Sequence, residues 1–175
     1  MSTVSTVAWG SWWLHTATYG AIAVFLSGAV LLAVLFLRHM RIDDYPIDIR
    51  NAAPAPTTAR KRSGLISGII FIVVLFLSLT SVVWLWAAEN PDASFAEVAL
   101  MAGALSIMFA LFDLVITDWL VICTWSPRQL MLPGTEECAG WQDYGFHVKE
   151  QLHPKALFVL FAASLVMGFV VWWLA

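Results

Sequence analysis

Cysteine, histidine and charge are all scarce in this 175-residue chain: 2 Cys, 4 His, and 12% charged residues. Each shortage excludes something. Cys123 and Cys138 stand 15 positions apart and form no CxxC, so no disulfide relay is expected, and free thiols are. No HExxH is present. Haem ligation by two helices needs two intramembrane histidines, and only His15 lies inside an apolar run, with His39 at that run's opposite end. No cofactor and no metal is therefore expected. Soluble domains carry about a quarter charged residues, well above this chain's 12%. The 9 basic residues carry no recognition motif, which leaves nucleic acid out as a partner.

What the chain has is apolar length. Apolar residues make up 61% of it, gathered into four runs: residues 14–37, 64–88, 98–125 and 156–175. Each reaches the roughly 20 residues a helix needs to cross about 30 Å of hydrocarbon. Lipid-exposed backbone must satisfy its own hydrogen bonds, so helices are expected and open sheets are not. The fold expected is an all-α bundle of four transmembrane helices, with the lipid bilayer as its first partner. No basic n-region precedes the first run, which is too long for a signal-peptide h-region, so no cleaved signal is expected.

The basic residues sort by side. Arg38, Arg41, Arg50, Arg60, Lys61 and Arg62 follow the first run, and Arg128, Lys149 and Lys155 follow the third. The segment between the second and third runs is acidic, with Glu89, Asp92 and Glu97. The positive-inside rule makes loops 38–63 and 126–155 cytoplasmic and both termini exterior. Most of the 10 Trp residues cluster near run ends and read as interfacial anchors.

The two cytoplasmic loops differ. Residues 42–62, with Pro46 and an Ala/Pro/Thr stretch before Arg60-Lys61-Arg62, read as an extended, flexible connector whose basic cluster sets topology and touches headgroups. In the other loop Pro133-Gly134 marks a turn, and Thr135-Glu136-Glu137 is suited to open a short helix. Trp141, Tyr144, Val148 and Leu152 then recur at spacings of three, four and four. That is the apolar stripe of an interfacial amphipathic helix, with Asp143, His147 and Glu150 on its polar face.

This loop carries a resemblance. The string Pro133-Gly134-Thr135-Glu136, then Gly140 and Asp143-Tyr144-Gly145-Phe146-His147, with Asp113 and Asp118-Trp119 upstream, resembles uncharacterised small four-span bacterial membrane proteins. It runs from about Asp113 to the end of the chain. It implies a four-span protein of the bacterial plasma membrane and brings no activity with it.

Two constellations are candidates for chemistry. Asp113 and Asp118 lie in the third run. An acid at mid-membrane depth costs on the order of 3 kcal/mol on insertion scales, so it should face protein or water. Five residues along an α-helix is a rotation of about 140°, which keeps the two carboxylates off one face. Ser106, Ala110, Asp113 and Thr117 make a small, polar stripe instead. The stripe suits a proton or cation site. It suits structural glue equally, with Asp118 expected to pair with Arg38 or Arg41 and a protonated Asp113 to bond Ser78, Thr80 or Ser81.

The second constellation is Asp143, His147 and Glu150, which share one face of the loop helix at a spacing that can bind a divalent metal, with Glu136 a further candidate in the same cytoplasmic loop. An Asp143–His147 pair at spacing four is its simplest use, since His153 lies about 120° round the helix from His147 and is placed to bound the next helix before Pro154. Small residues at spacing four (Gly64 and Gly68, Ser106 and Ala110, Ser164 and Gly168) suit close helix packing, within one bundle, in a homo-oligomer or in a larger complex. Three functions remain open. One is a transport, channel or accessory subunit centred on Asp113, which needs a water-accessible cavity reaching that residue. The second is an enzyme acting on a lipid or isoprenoid headgroup, which needs a pocket between the loop and the inner helix ends. The third is a structural or assembly protein, which needs neither.

Overall fold

The computed structural model describes residues 9–37 and 42–175. Among them the structure is all-helical, and four helices are long and apolar enough to cross a membrane. They are α1 (Trp9–Phe36), α3 (Thr58–Glu89), α4 (Phe95–Phe112) with its continuation Asp113–Trp125, and α6 (Pro154–Leu174). The helices start a few residues before the apolar runs, because caps rather than hydropathy set their ends. Thr57 Oγ1 accepts from the Arg60 amide at 3.2 Å, which places Arg60-Lys61-Arg62 inside the first turns of α3. Ser94 and Glu97 form a reciprocal capping box at the head of α4. His153 caps α6 through Nδ1, which accepts from the Lys155 amide at 3.2 Å, and Pro154 fills the first turn.

The bundle core joins all four spans through residues such as Val24, Leu79, Val83, Met101, Leu105, Met167 and Val171. α4 packs most closely on α6. A Cβ added at Gly168 would stand 2.7 Å from the Ala99 Cα, so only glycine permits that approach. Ser164 donates to Ser106 Oγ at 3.0 Å across the same contact. Trp12 and Trp86 are core residues, whereas Trp9, Trp13, Trp84, Trp125, Trp172 and Trp173 stay exposed on the outside of the bundle.

The third span changes its winding halfway. From Asp113 to Trp125 it is a π-helix, with hydrogen bonds from residue i to i+5. The segment is dense in β-branched residues (Val115, Ile116, Thr117, Val121, Ile122, Thr124), which crowd the preceding turn of an α-helix. At the junction the Ala110 carbonyl accepts from Gln151 Nε2 at 2.9 Å, a side chain from another helix entering the ladder. The π-helix ends at Ser126, whose backbone is left-handed (φ 44°) and whose amide donates to the Val121 carbonyl at 3.0 Å.

The loops after the first and third spans fold onto the ends of these spans. Residues 42–62 are not the extended connector expected from their composition. Ile42–Asp44 is a 3-10 turn, α2 spans Ile47–Ala52, and α3 already begins at Thr58. Tyr45 and Ile49 are buried in a second core with Leu35, Ile122, Leu130, Leu132 and Trp141, so apolar contacts order a segment that looks polar in isolation. Thr135-Glu136-Glu137 opens no helix either. Gly134 takes φ +80° in the expected turn, and Thr135 is buried with its hydroxyl donating to the Leu132 carbonyl at 2.8 Å. That bond draws the chain into a second turn. A 3-10 turn at Ala139–Gln142 follows, then α5 at Tyr144–Gln151.

Candidate functional site

The site is built where the π-helix meets α5. Residues five apart in a π-helix are hydrogen-bonding neighbours, so Asp113 and Asp118 come together instead of standing about 140° apart. Asp113 is close enough to interact electrostatically with both Asp118 and His147. Thr117 lies against Asp113, yet its buried hydroxyl meets no partner at hydrogen-bond geometry. The expectation that the two carboxylates occupy different faces is overturned by the winding of the segment.

α5 supplies the third group, and with the face that was expected to be polar. Its buried residue is His147, 9% exposed, while Tyr144 and Leu152 of the expected apolar stripe are 41% and 62% exposed. His147 Nδ1 stands 3.2 Å from Asp118 Oδ1. Asp143 is not its partner. That carboxylate caps α5, accepting from the Phe146 amide at 2.9 Å. The stripe fails because Trp141 belongs to a separate 3-10 turn, where its indole donates to the Thr135 carbonyl at 2.8 Å. α5 is held against the π-helix by the Gln151 bond, by Tyr144 meeting Thr124 Oγ1 at 3.0 Å, and by the Trp119–Tyr144 ring contact.

The other expected partners lie elsewhere. Arg38 and Arg41, proposed for Asp118, are outside the described residues. Ser81 donates to its own helix at Leu77, and the Thr80 hydroxyl is buried without a partner, so neither bonds Asp113. Ser106 sits two turns before Asp113 in the α4–α6 contact and bonds Ala102 and Ser164. Glu136 is exposed in its turn and accepts from the Gly134 amide. Among the described residues no three His, Cys, Asp or Glu side chains are grouped as a metal centre requires. Both cysteines are free.

A cavity of about 50 Å³ adjoins the pair, lined by Asp44, Tyr45, Asp118, Gly140, Trp141 and His147 among others. Asp113 is not among its lining residues. Its wall is held by Asp48 Oδ2, which accepts from the Gly140 amide at 2.7 Å and ties the loop after the first span to the loop after the third. The second ring nitrogen of His147, Nε2, is buried and has no protein partner. Leaving such a group unpaired costs about 1–3 kcal/mol, which a purely structural histidine would avoid. The arrangement can take a proton at Nε2 and pass one between Nδ1 and Asp118, with Asp113 next in line.

No protein-family profile, no curated protein and no solved structure matches this chain. The chemistry of the site therefore rests on its own geometry. Asp44, Tyr45 and Trp141 were not read as site residues, because the connector that carries the first two was expected to be unstructured. The one available signal was the run of apolar Tyr45, Ile47 and Ile49 beside Pro46, unusual for a flexible loop.

Proposed function

We propose that this is a multi-pass protein of the bacterial plasma membrane that handles protons or small cations through Asp113, Asp118 and His147. It acts as a transport or channel subunit, or as an accessory subunit of a larger complex. The observation that carries the reading is the π-helical register that gathers two carboxylates with a buried imidazole at one end of a membrane bundle. Intramembrane acids of this kind mark ion and proton pathways, and π-helical segments recur at functional sites. The sorted basic residues support a site toward the cytoplasm, with α5 at the interface and both termini exterior. The loop resemblance to small four-span bacterial proteins supports the same membrane.

Reconstitution tests it. Vesicles carrying the chain, with pyranine inside and a potassium diffusion potential across the bilayer, should acidify faster than protein-free vesicles. Asp113→Asn and His147→Gln should abolish the difference while the protein stays inserted and folded. Wild-type vesicles no faster than empty ones would overturn the reading. Reporters fused after Ala175 should register as exterior and those inserted near Ala55 as cytoplasmic, and the opposite result would reverse the site's side.

A second reading is favoured by the cavity between the loop and the helix ends. A carboxylate on Nδ1 with Nε2 directed elsewhere is the arrangement of a general base. An enzyme acting on a lipid or isoprenoid headgroup would use it so. Turnover of radiolabelled membrane lipid by the purified chain, lost in His147→Gln, would favour this reading over ion handling.

A further inference from the structure

The inner cavity has a consequence for how protons reach the acids. His147 is buried, and Asp118 accepts from its Nδ1, so Nδ1 carries a hydrogen. His147 lines the cavity, and its Nε2 is buried and unpartnered by protein. The cavity's roughly 50 Å³ exceeds the room one water needs, and its polar groups can meet a water's requirement for two to four partners. Asp44, exposed at its surface, stands at the solvent side of the same cavity.

We propose that this cavity is a water-binding port: water held between His147 Nε2 and the Asp44–Asp118 carboxylates connects the cytoplasm to the intramembrane acids. The inference rests on the proton-handling reading and names the route it uses. A hydronium in the port gives its proton to Nε2, breaking an O–H bond and forming an N–H bond. The imidazolium then releases the Nδ1 proton to the Asp118 carboxylate. One proton enters and one leaves, and the ring is left neutral with its hydrogen on Nε2. The charged groups that bear on the ring are Asp113 and Asp118 of the π-helix, and Asp44 of the 3-10 turn lines the cavity beside it. The other helix packed on α5 is α6, and His153 and Lys155 at its start are exposed.

Magic-angle-spinning NMR of the full chain, labelled with 15N-histidine in phosphatidylethanolamine–phosphatidylglycerol vesicles, reads the port directly. The His147 resonances are identified by their loss in His147→Gln. Polarisation transfer from water should reach Nε2 within milliseconds. A dry Nε2 in the wild type overturns the proposal whatever the flux. Water contact without any proton flux would instead overturn the proton-handling reading and leave the water site standing. Ile49→Phe, which fills the cavity from a residue that touches no proton, should remove the water contact and lower flux at least tenfold. Unchanged flux once that contact is lost would overturn the port. Should Ile49→Phe fail to fold, Ile122→Phe fills the same cavity from the π-helix.

Discussion

The two halves of the third span share an apolar composition and do different work. Phe95–Phe112 is an α-helix whose polar groups are satisfied by its own cap and by one serine pair, and it serves packing against α6. Asp113–Trp125 is a π-helix in which Asp118 and Thr124 find partners on α5, while the Thr117 hydroxyl and the Trp119 indole are buried without one. The first half obeys rules that act within about one turn of helix. The second half is decided by groups far away in sequence, such as Gln151 at the α–π junction. Function is expected in the second kind of segment, because cross-element polar contacts place groups that packing alone would not.

The largest effect should come from removing the partner that defines the second half. His147→Leu leaves the Asp118 carboxylate without its hydrogen bond in a poorly hydrated place, both side chains being at most 15% exposed. Leaving a buried charged group without its hydrogen-bond partner costs about 3 kcal/mol or more. Unfolding in mixed detergent micelles should show a loss of that order. A change under about 1 kcal/mol, ordinary for a surface substitution, would mean the two halves do not differ as described.

The α half gives a smaller and purely steric effect. Gly168→Leu forces side-chain atoms toward the Ala99 backbone and should cost about 2 kcal/mol, within the range for overpacking. Flux should survive wherever the protein still folds, since no proton-carrying group is touched. Loss of flux at full folding would blur the division between halves.

Asp113→Asn probes the second half more finely. Asparagine keeps the shape and the hydrogen-bonding reach, so stability should change by less than about 1 kcal/mol. It cannot titrate, so proton flux should be lost. Stability lost together with flux, at the scale of His147→Leu, would show that Asp113 is structural glue.

These contrasts explain what the sequence discloses. The four spans and the α6 cap at His153-Pro154 depend on hydropathy and on neighbours a few residues away, and all are legible there. The pairing of Asp113 with Asp118 is not, because it depends on a π register that nothing in the local pattern announces. The inward turn of His147 is hidden for a related reason. Helical spacing put Trp141, Tyr144, Val148 and Leu152 on the buried side, but Asp143 breaks that stretch into a 3-10 turn and a separate helix, each with its own inner face. Order in residues 42–52 is likewise a tertiary effect, since Tyr45 and Ile49 are held by Trp141 and Leu132 from the other loop.

The smallest expected effect lies where the loops beyond the spans meet solvent. Cys138 is half-buried beside the carboxylates of Asp48 and Glu136. Burial first, and then those two negative charges, push its thiol above the ordinary value. Only the thiolate attacks a maleimide, so a raised value keeps more of the neutral thiol at any given pH and slows alkylation. The pH profile of labelling at Cys138, read by mass spectrometry of the tryptic peptide, should therefore sit higher than that of a free cysteine peptide. Glu136→Gln removes one of the opposing charges without touching the Asp118–His147 pair. It should shift the profile downward and speed labelling at fixed pH, while burial keeps it above the peptide's. Proton flux should be unchanged. A profile that does not move would mean that the Glu136 carboxylate is too well solvated to act on the thiol. A change in flux would mean that this outer turn and the His147 cavity are one electrostatic unit, and the line between site and scaffold would have to be drawn farther out.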